Sequence, residues 1–200
     1  MPSTTPSADD TALLAPEQIR SMVYTALMAA FIAIGAFVAI PIGPVPIVLQ
    51  NLFVLLAGLL LGPRSGAASV GLYLLAGACG LPVFAGATGG VGRLIGPTGG
   101  YLISYLPAVV LVGAVSNAGR GRWAIDLIGL IAASLLVYAI GVPWLKWVTG
   151  MPLEKAVAVG MLPFILGDAL KIAAALSIAR AVQPLILPHR HQPERPQWTS

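Results

Sequence analysis

The 200-residue chain is 58% hydrophobic and only 9% charged, with a mean hydropathy of +0.90. A soluble domain of this length carries about 25% charged residues, so this chain cannot clothe a water-facing globule, and its outer surface must face lipid. The net charge of +4 comes from single basic residues scattered between apolar runs, with no basic stripe interleaved with aromatics, which excludes a nucleic-acid-binding surface.

In chain order, residues 1–16 are polar and carry Asp9 and Asp10 without a Lys or Arg. This is not the positive leader of a signal peptide, and a short disordered cytoplasmic tail is expected. A six-helix membrane unit is expected over residues 17–187, built from six apolar stretches near the length a spanning helix needs.

The first stretch, Met22–Ile40, contains Ala26, Ala29, Ala30 and Ala33 in two overlapping small-xxx-small spacings. Such a strip lets a second helix approach closely, either inside the bundle or on another membrane protein. Pro41, Pro44 and Pro46 then preclude a regular helix and predict a stiff connection.

The second and third stretches, Val45–Leu61 and Ser65–Leu81, are short. They are separated by Gly62-Pro63-Arg64, a tight break that predicts antiparallel neighbours. Gln50 and Asn51 at the head of the second either bond a ligand or cap backbone groups freed by the prolines. Cys79, the sole cysteine, reads as a small packing residue and excludes an internal disulfide.

From Gly80 to Gly100 runs GLPVFAGATGGVGRLIGPTGG, too rich in glycine for a helix. Irregular backbone at membrane depth is tolerated where it is buried in protein or lines a wet cavity. The segment's single cation, Arg93, is a natural fork for a carboxylate. No GxxxxGK[ST] is present, so the loop is not a phosphate cradle and no ATPase is encoded here.

The fourth and fifth stretches are Gly99–Asn117 and Trp123–Val142. Tyr101 suits either a ligand contact or the interfacial aromatic belt, whereas Trp144 and Trp147 beside Lys146 read as belt anchors. Asp126 complements the dipole at the start of the fifth helix.

The sixth stretch, Val159–Leu187, is long, with Pro163 a point where a helix begins anew. It carries Asp168 and Lys171, spaced to share one helix face. Intramembrane charges are costly, and they pair and face a cavity. This pair is therefore expected to point into the bundle, as a structural lock or as the seat of a polar ligand head. Residues 188–200 are polar and proline-rich, a second disordered tail. Its His189 and His191 are read as surface imidazoles, so no metal site is expected.

Arg20, Arg64, Arg120, Arg122, Arg180, Arg190 and Arg195 fall on one side of six spans, and Arg93, Lys146 and Lys155 on the other. The positive-inside bias then places both termini in the cytoplasm and Arg93 outside.

Four segments, IPIGPVPIVLQN (Ile40–Asn51), LAGLLLGPRSGAASVGLYLLAGACGLPVFAG, GGVGRLIGPTGGY (Gly89–Tyr101) and GDALK (Gly167–Lys171), in this order and spacing, resemble the BioY family. These are the biotin-specific S components of energy-coupling factor (ECF) transporters of prokaryotic cell membranes. The resemblance covers roughly Met22 to Leu187 and implies an all-α S-component fold. It implies biotin held near the outer face, with Arg93, Asp168 and Lys171 at the ligand together with Gln50 and Tyr101. It also implies docking, through Ala26, Ala29, Ala30 and Ala33, to a transmembrane coupling subunit that carries two ATP-binding subunits. The chain itself would need no cofactor and perform no covalent chemistry. An S component for another vitamin and a stand-alone small-solute facilitator are the rival readings. A membrane enzyme is disfavoured because the spans contain no His and one Cys.

Overall fold

The computed structural model of the chain describes residues 16–40, 44–119 and 122–186. The tails, Arg120, Arg190, Arg195, His189 and His191, and the start of the proline segment, lie outside the described residues. Helix α1 spans Pro16–Phe37, six residues ahead of the expected start, with Pro16 at a first-turn position where its missing N–H costs nothing. It leads into a two-stranded antiparallel hairpin, β1 (Ala39–Ile40) and β2 (Ile47–Val48), with Pro44 and Pro46 in the connection between the strands.

Helix α2 is recorded over Gln50–Ala78 but broken at Gly62, whose φ of 77° and ψ of −175° lie outside helical space. Glycine alone adopts that backbone at no steric cost. The two halves fold back on each other: a Cβ on Gly66 would lie 3.0 Å from the Ala57 carbonyl oxygen, an approach impossible along one straight helix. The second and third stretches are thus separate antiparallel helices, as expected. The break is filled by α4, whose Gly113 packs directly on Pro63 and Gly62.

The first half of α2 is the axis of the bundle. Val54, Leu55 and Ala57 are fully buried, and Leu56 and Leu59 almost so. A helix apolar all round belongs in an interior, and there it need not match the full bilayer thickness.

The glycine-rich segment holds one helical turn, α3 (Val91–Ile95), carrying Arg93. The glycine content argues against a helix here; a single turn between Gly90 and Gly96 still forms because the flanking glycines end it on both sides. Helices α4 (Gly99–Gly119) and α5 (Trp123–Thr149) follow. The latter runs seven residues past the expected end, through Pro143 to a left-handed Gly150 that closes it. A short α6 (Leu153–Gly160), which was not anticipated, and a 3₁₀ turn at Leu162–Phe164 lead into α7 (Ile165–Ile186). Pro163 does mark the new start.

Among the described residues, five helical segments are long and apolar enough to cross a membrane, one of them being the broken α2, and the chain is a multi-pass membrane protein. Its lipid-facing residues are large and apolar: Met22, Leu27, Leu75, Ile128, Leu135, Leu166 and Leu170 are all exposed.

Candidate functional site

The buried face of α7 is set by helical spacing, with Asp168, Lys171, Ile172, Ala175 and Ala179 turned inward. Asp168 and Lys171 are 8% and 9% exposed, and Lys171 Nζ donates to Asp168 Oδ1 at 3.0 Å. The second carboxylate oxygen, Oδ2, accepts from the Tyr138 hydroxyl on α5. Both oxygens of the buried anion are thereby engaged, which its burial demands.

This network forms one wall of an open cavity of about 690 Å³, adjoining solvent at its mouth included, at the end of the bundle that carries the hairpin and the α3 segment. Val45, Pro46 and Val48 line it from the hairpin, Gln50 and Asn51 from the head of α2, and Tyr101, Leu102 and Tyr105 from α4. Phe84 and Arg93 close it from the glycine-rich segment. A mostly apolar hollow with a few placed polar groups is the usual form of a small-molecule site.

The glycine-rich segment is held down at several points. Phe84 is buried edge-on against Tyr73, ring centroids 5.5 Å apart, over Gly77, where any Cβ would strike the Phe84 ring. Gly90 N–H donates to the Gly77 carbonyl at 2.7 Å, and Trp144 Nε1 donates to the Gly96 carbonyl at 3.0 Å. These contacts present Arg93 at the mouth. It is exposed, and among the described residues no carboxylate forms an ion pair with it.

All five residues singled out as ligand contacts, Gln50, Arg93, Tyr101, Asp168 and Lys171, therefore line one cavity. Tyr101 is buried rather than in an aromatic belt. Its hydroxyl donates to the Gly160 carbonyl at 2.8 Å while its ring lies over Gly141. Gln50 and Asn51 are both buried; the Gln50 amide faces the Tyr73 hydroxyl and Asn51 Oδ1 has no hydrogen-bond partner among the described residues, so neither caps freed backbone groups.

Three expectations need correction. Cys79 is exposed at the end of α2 instead of packing inside it, because the helix stops there and the chain turns at Gly80. Trp144 is more than a belt anchor, since it ties α5 to the α3 segment; Trp147 is 76% exposed. The alanine strip of α1 divides: Ala29 is buried and Ala33 half-buried against the bundle, while Ala26 and Ala30 face outward. Tyr138 and Tyr105 went unnoticed in the sequence, since a lone tyrosine in an apolar run carries no signal of the helix it will face.

The fold and cavity define a class: a polytopic membrane protein with an open, largely apolar cavity that carries a few polar side chains within its helical bundle. Residues 6–187 match the BioY family, and the chain belongs to it. It is 44% identical over 158 residues to the probable biotin transporter BioY of Pyrococcus horikoshii, covering 79% of this chain and 93% of the relative. It is 36% identical over 167 residues to the biotin transporter BioY of Thermotoga maritima, covering 84% and 98%. Among solved structures it is similar to the S-component for biotin from an ECF-type ABC transporter, with a TM-score of 0.79 and 36% identity over 86% of this chain and 95% of that one. The family is one of transporters, not enzymes.

Proposed function

We propose that this chain captures biotin from the outer face of the membrane and serves as the S component of an ECF importer. The observation that carries the reading is the buried Asp168–Lys171 pair on the wall of an open, largely apolar cavity whose rim holds Arg93. Biotin offers a ureido head with two N–H donors and a carbonyl, an apolar fused ring and a carboxylate tail. Asp168 accepts from one ureido N–H, and Lys171 steadies that anion and donates to the adjacent carbonyl. Phe84, Val137 and Phe164 supply apolar wall for the ring system. Counting the charges on the lining side chains, Arg93 is left as the positive excess once Asp168 and Lys171 cancel, which suits a monoanionic ligand.

The names carried by the relatives support biotin as the ligand, and the basic-residue asymmetry supports a cavity open to the outside with cytoplasmic termini. Coupling follows from the S-component likeness. The outward face of α1, with Met22, Val23, Ala26, Leu27 and Ala30, is a small-and-apolar surface suited to a transmembrane coupling subunit whose two ATP-binding partners drive release.

Calorimetric titration of the purified protein with biotin, thiamine and riboflavin tests the ligand. Biotin alone should bind, and Asp168→Asn and Lys171→Ala should each weaken it by at least ~10-fold, the cost of losing a charged hydrogen bond. Parent-like affinity in both variants would remove the pair from the site.

A further inference from the structure

The hydrogen bond from Tyr138 to Asp168 Oδ2 crosses from α5 to α7, whereas the Lys171 bond stays within α7. A carboxylate has about four acceptor positions. With Lys171 on one oxygen and Tyr138 on the other, each oxygen keeps one position free. The lysine alone would leave the carboxylate able to swing about its own bond. The hydroxyl donor on a second helix fixes the plane of the carboxylate against the cavity, and Tyr138 itself lines that cavity at 9% exposure. Tyr138 can carry out this task because it is buried within α5, and one donor is all its hydroxyl has to give.

We propose that Tyr138 is a positioning residue for ligand recognition: it orients Asp168 so that a free acceptor position meets the near N–H of a ureido head. The inference rests on the biotin reading above. It assigns to α5 a role in recognising the head of the ligand, separate from the tail-binding role of Arg93.

The test is equilibrium binding of tritiated biotin to the protein in lipid nanodiscs, for the parent, Tyr138→Phe, Asp168→Asn and the double variant. Tyr138→Phe keeps the ring and removes only the hydroxyl. It should weaken biotin about tenfold in the parent background, the order expected for a hydrogen bond to a charged group. In the Asp168→Asn background it should cost less than about threefold, because coupled partners are not additive. Biotin amide, altered only at the tail and measured by competition, should suffer the same loss from Tyr138→Phe as biotin does. Equal losses in both backgrounds, parent-like binding by Tyr138→Phe, or a loss confined to one of the two ligands would each overturn the assignment. A purely structural tyrosine would show no such coupling in biotin affinity, whatever its removal does to the melting temperature of the ligand-free protein. If the parent fails to bind biotin, the proposed function fails first; if the parent binds and the cycle is additive, only the role of Tyr138 falls.

Discussion

At the residue scale, the site turns on how a bundle in lipid tolerates a carboxylate and an ammonium. Each ion is costly to bury, and the two are compatible with folding because they pair at 3.0 Å and because Tyr138 takes the remaining carboxylate oxygen. Removing one partner strands the other. Lys171→Ala should therefore destabilise the protein by about 3–5 kcal/mol, read as a loss of melting temperature in ligand-free nanodiscs. Replacing both, as Asp168→Asn with Lys171→Met, should recover most of that stability, since a buried ion pair is often no better than a neutral pair of similar volume. The same double variant should still not bind biotin. Recovery of binding along with stability would show the ions to be a lock for helices and not a recognition device.

At the scale of elements, the Gly62–Pro63 break explains contacts far from the cavity. Proline has no N–H, so Pro63 deprives the Leu59 carbonyl, four residues back, of its helical donor. Gln183 Nε2, near the end of α7, donates to that same carbonyl at 3.2 Å. An unpaired carbonyl inside a membrane protein is unfavourable, so a side chain 124 positions away completes the helix. Gln183→Leu should cost about 1 kcal/mol, in line with polar contacts between membrane helices, and a chemical or thermal unfolding series checks it. No measurable change would mean that Leu59 is satisfied by other means. The same segment shows where sequence reading succeeds. The Gly-Pro dipeptide announced the break and the antiparallel pair, because its effect is local. The partner that repairs the break was invisible, because nothing local to Gln183 points to residue 59.

At the scale of the molecule, the orientation of the cavity decides whether the protein captures solute from outside or from inside. Cys79 offers a direct reading, since it is the sole cysteine and lies exposed at the cavity end of the bundle, next to Gly80. In right-side-out vesicles a membrane-impermeant maleimide should label it without permeabilisation. Labelling that appears only after the membrane is opened would invert the topology and exclude capture from outside.

Amino-acid order alone determined the membrane class, the helical architecture, the break in α2 and the pairing of Asp168 with Lys171. All of these follow from composition, periodicity and i,i+3 spacing, which act along the chain. It also marked Gln50, Arg93 and Tyr101, through the company they keep in short motifs. Tertiary structure decided which residues meet across helices: Tyr138 with Asp168, Phe84 with Gly77, Trp144 with Gly96 and Gln183 with Leu59. It also decided that α1 presents Ala26 and Ala30 outward and keeps Ala29 inside. Such choices depend on the rotation of each helix about its own axis. In a nearly uniform apolar chain that rotation is fixed by close packing between neighbours, not by any contrast of polar and apolar faces that the sequence displays.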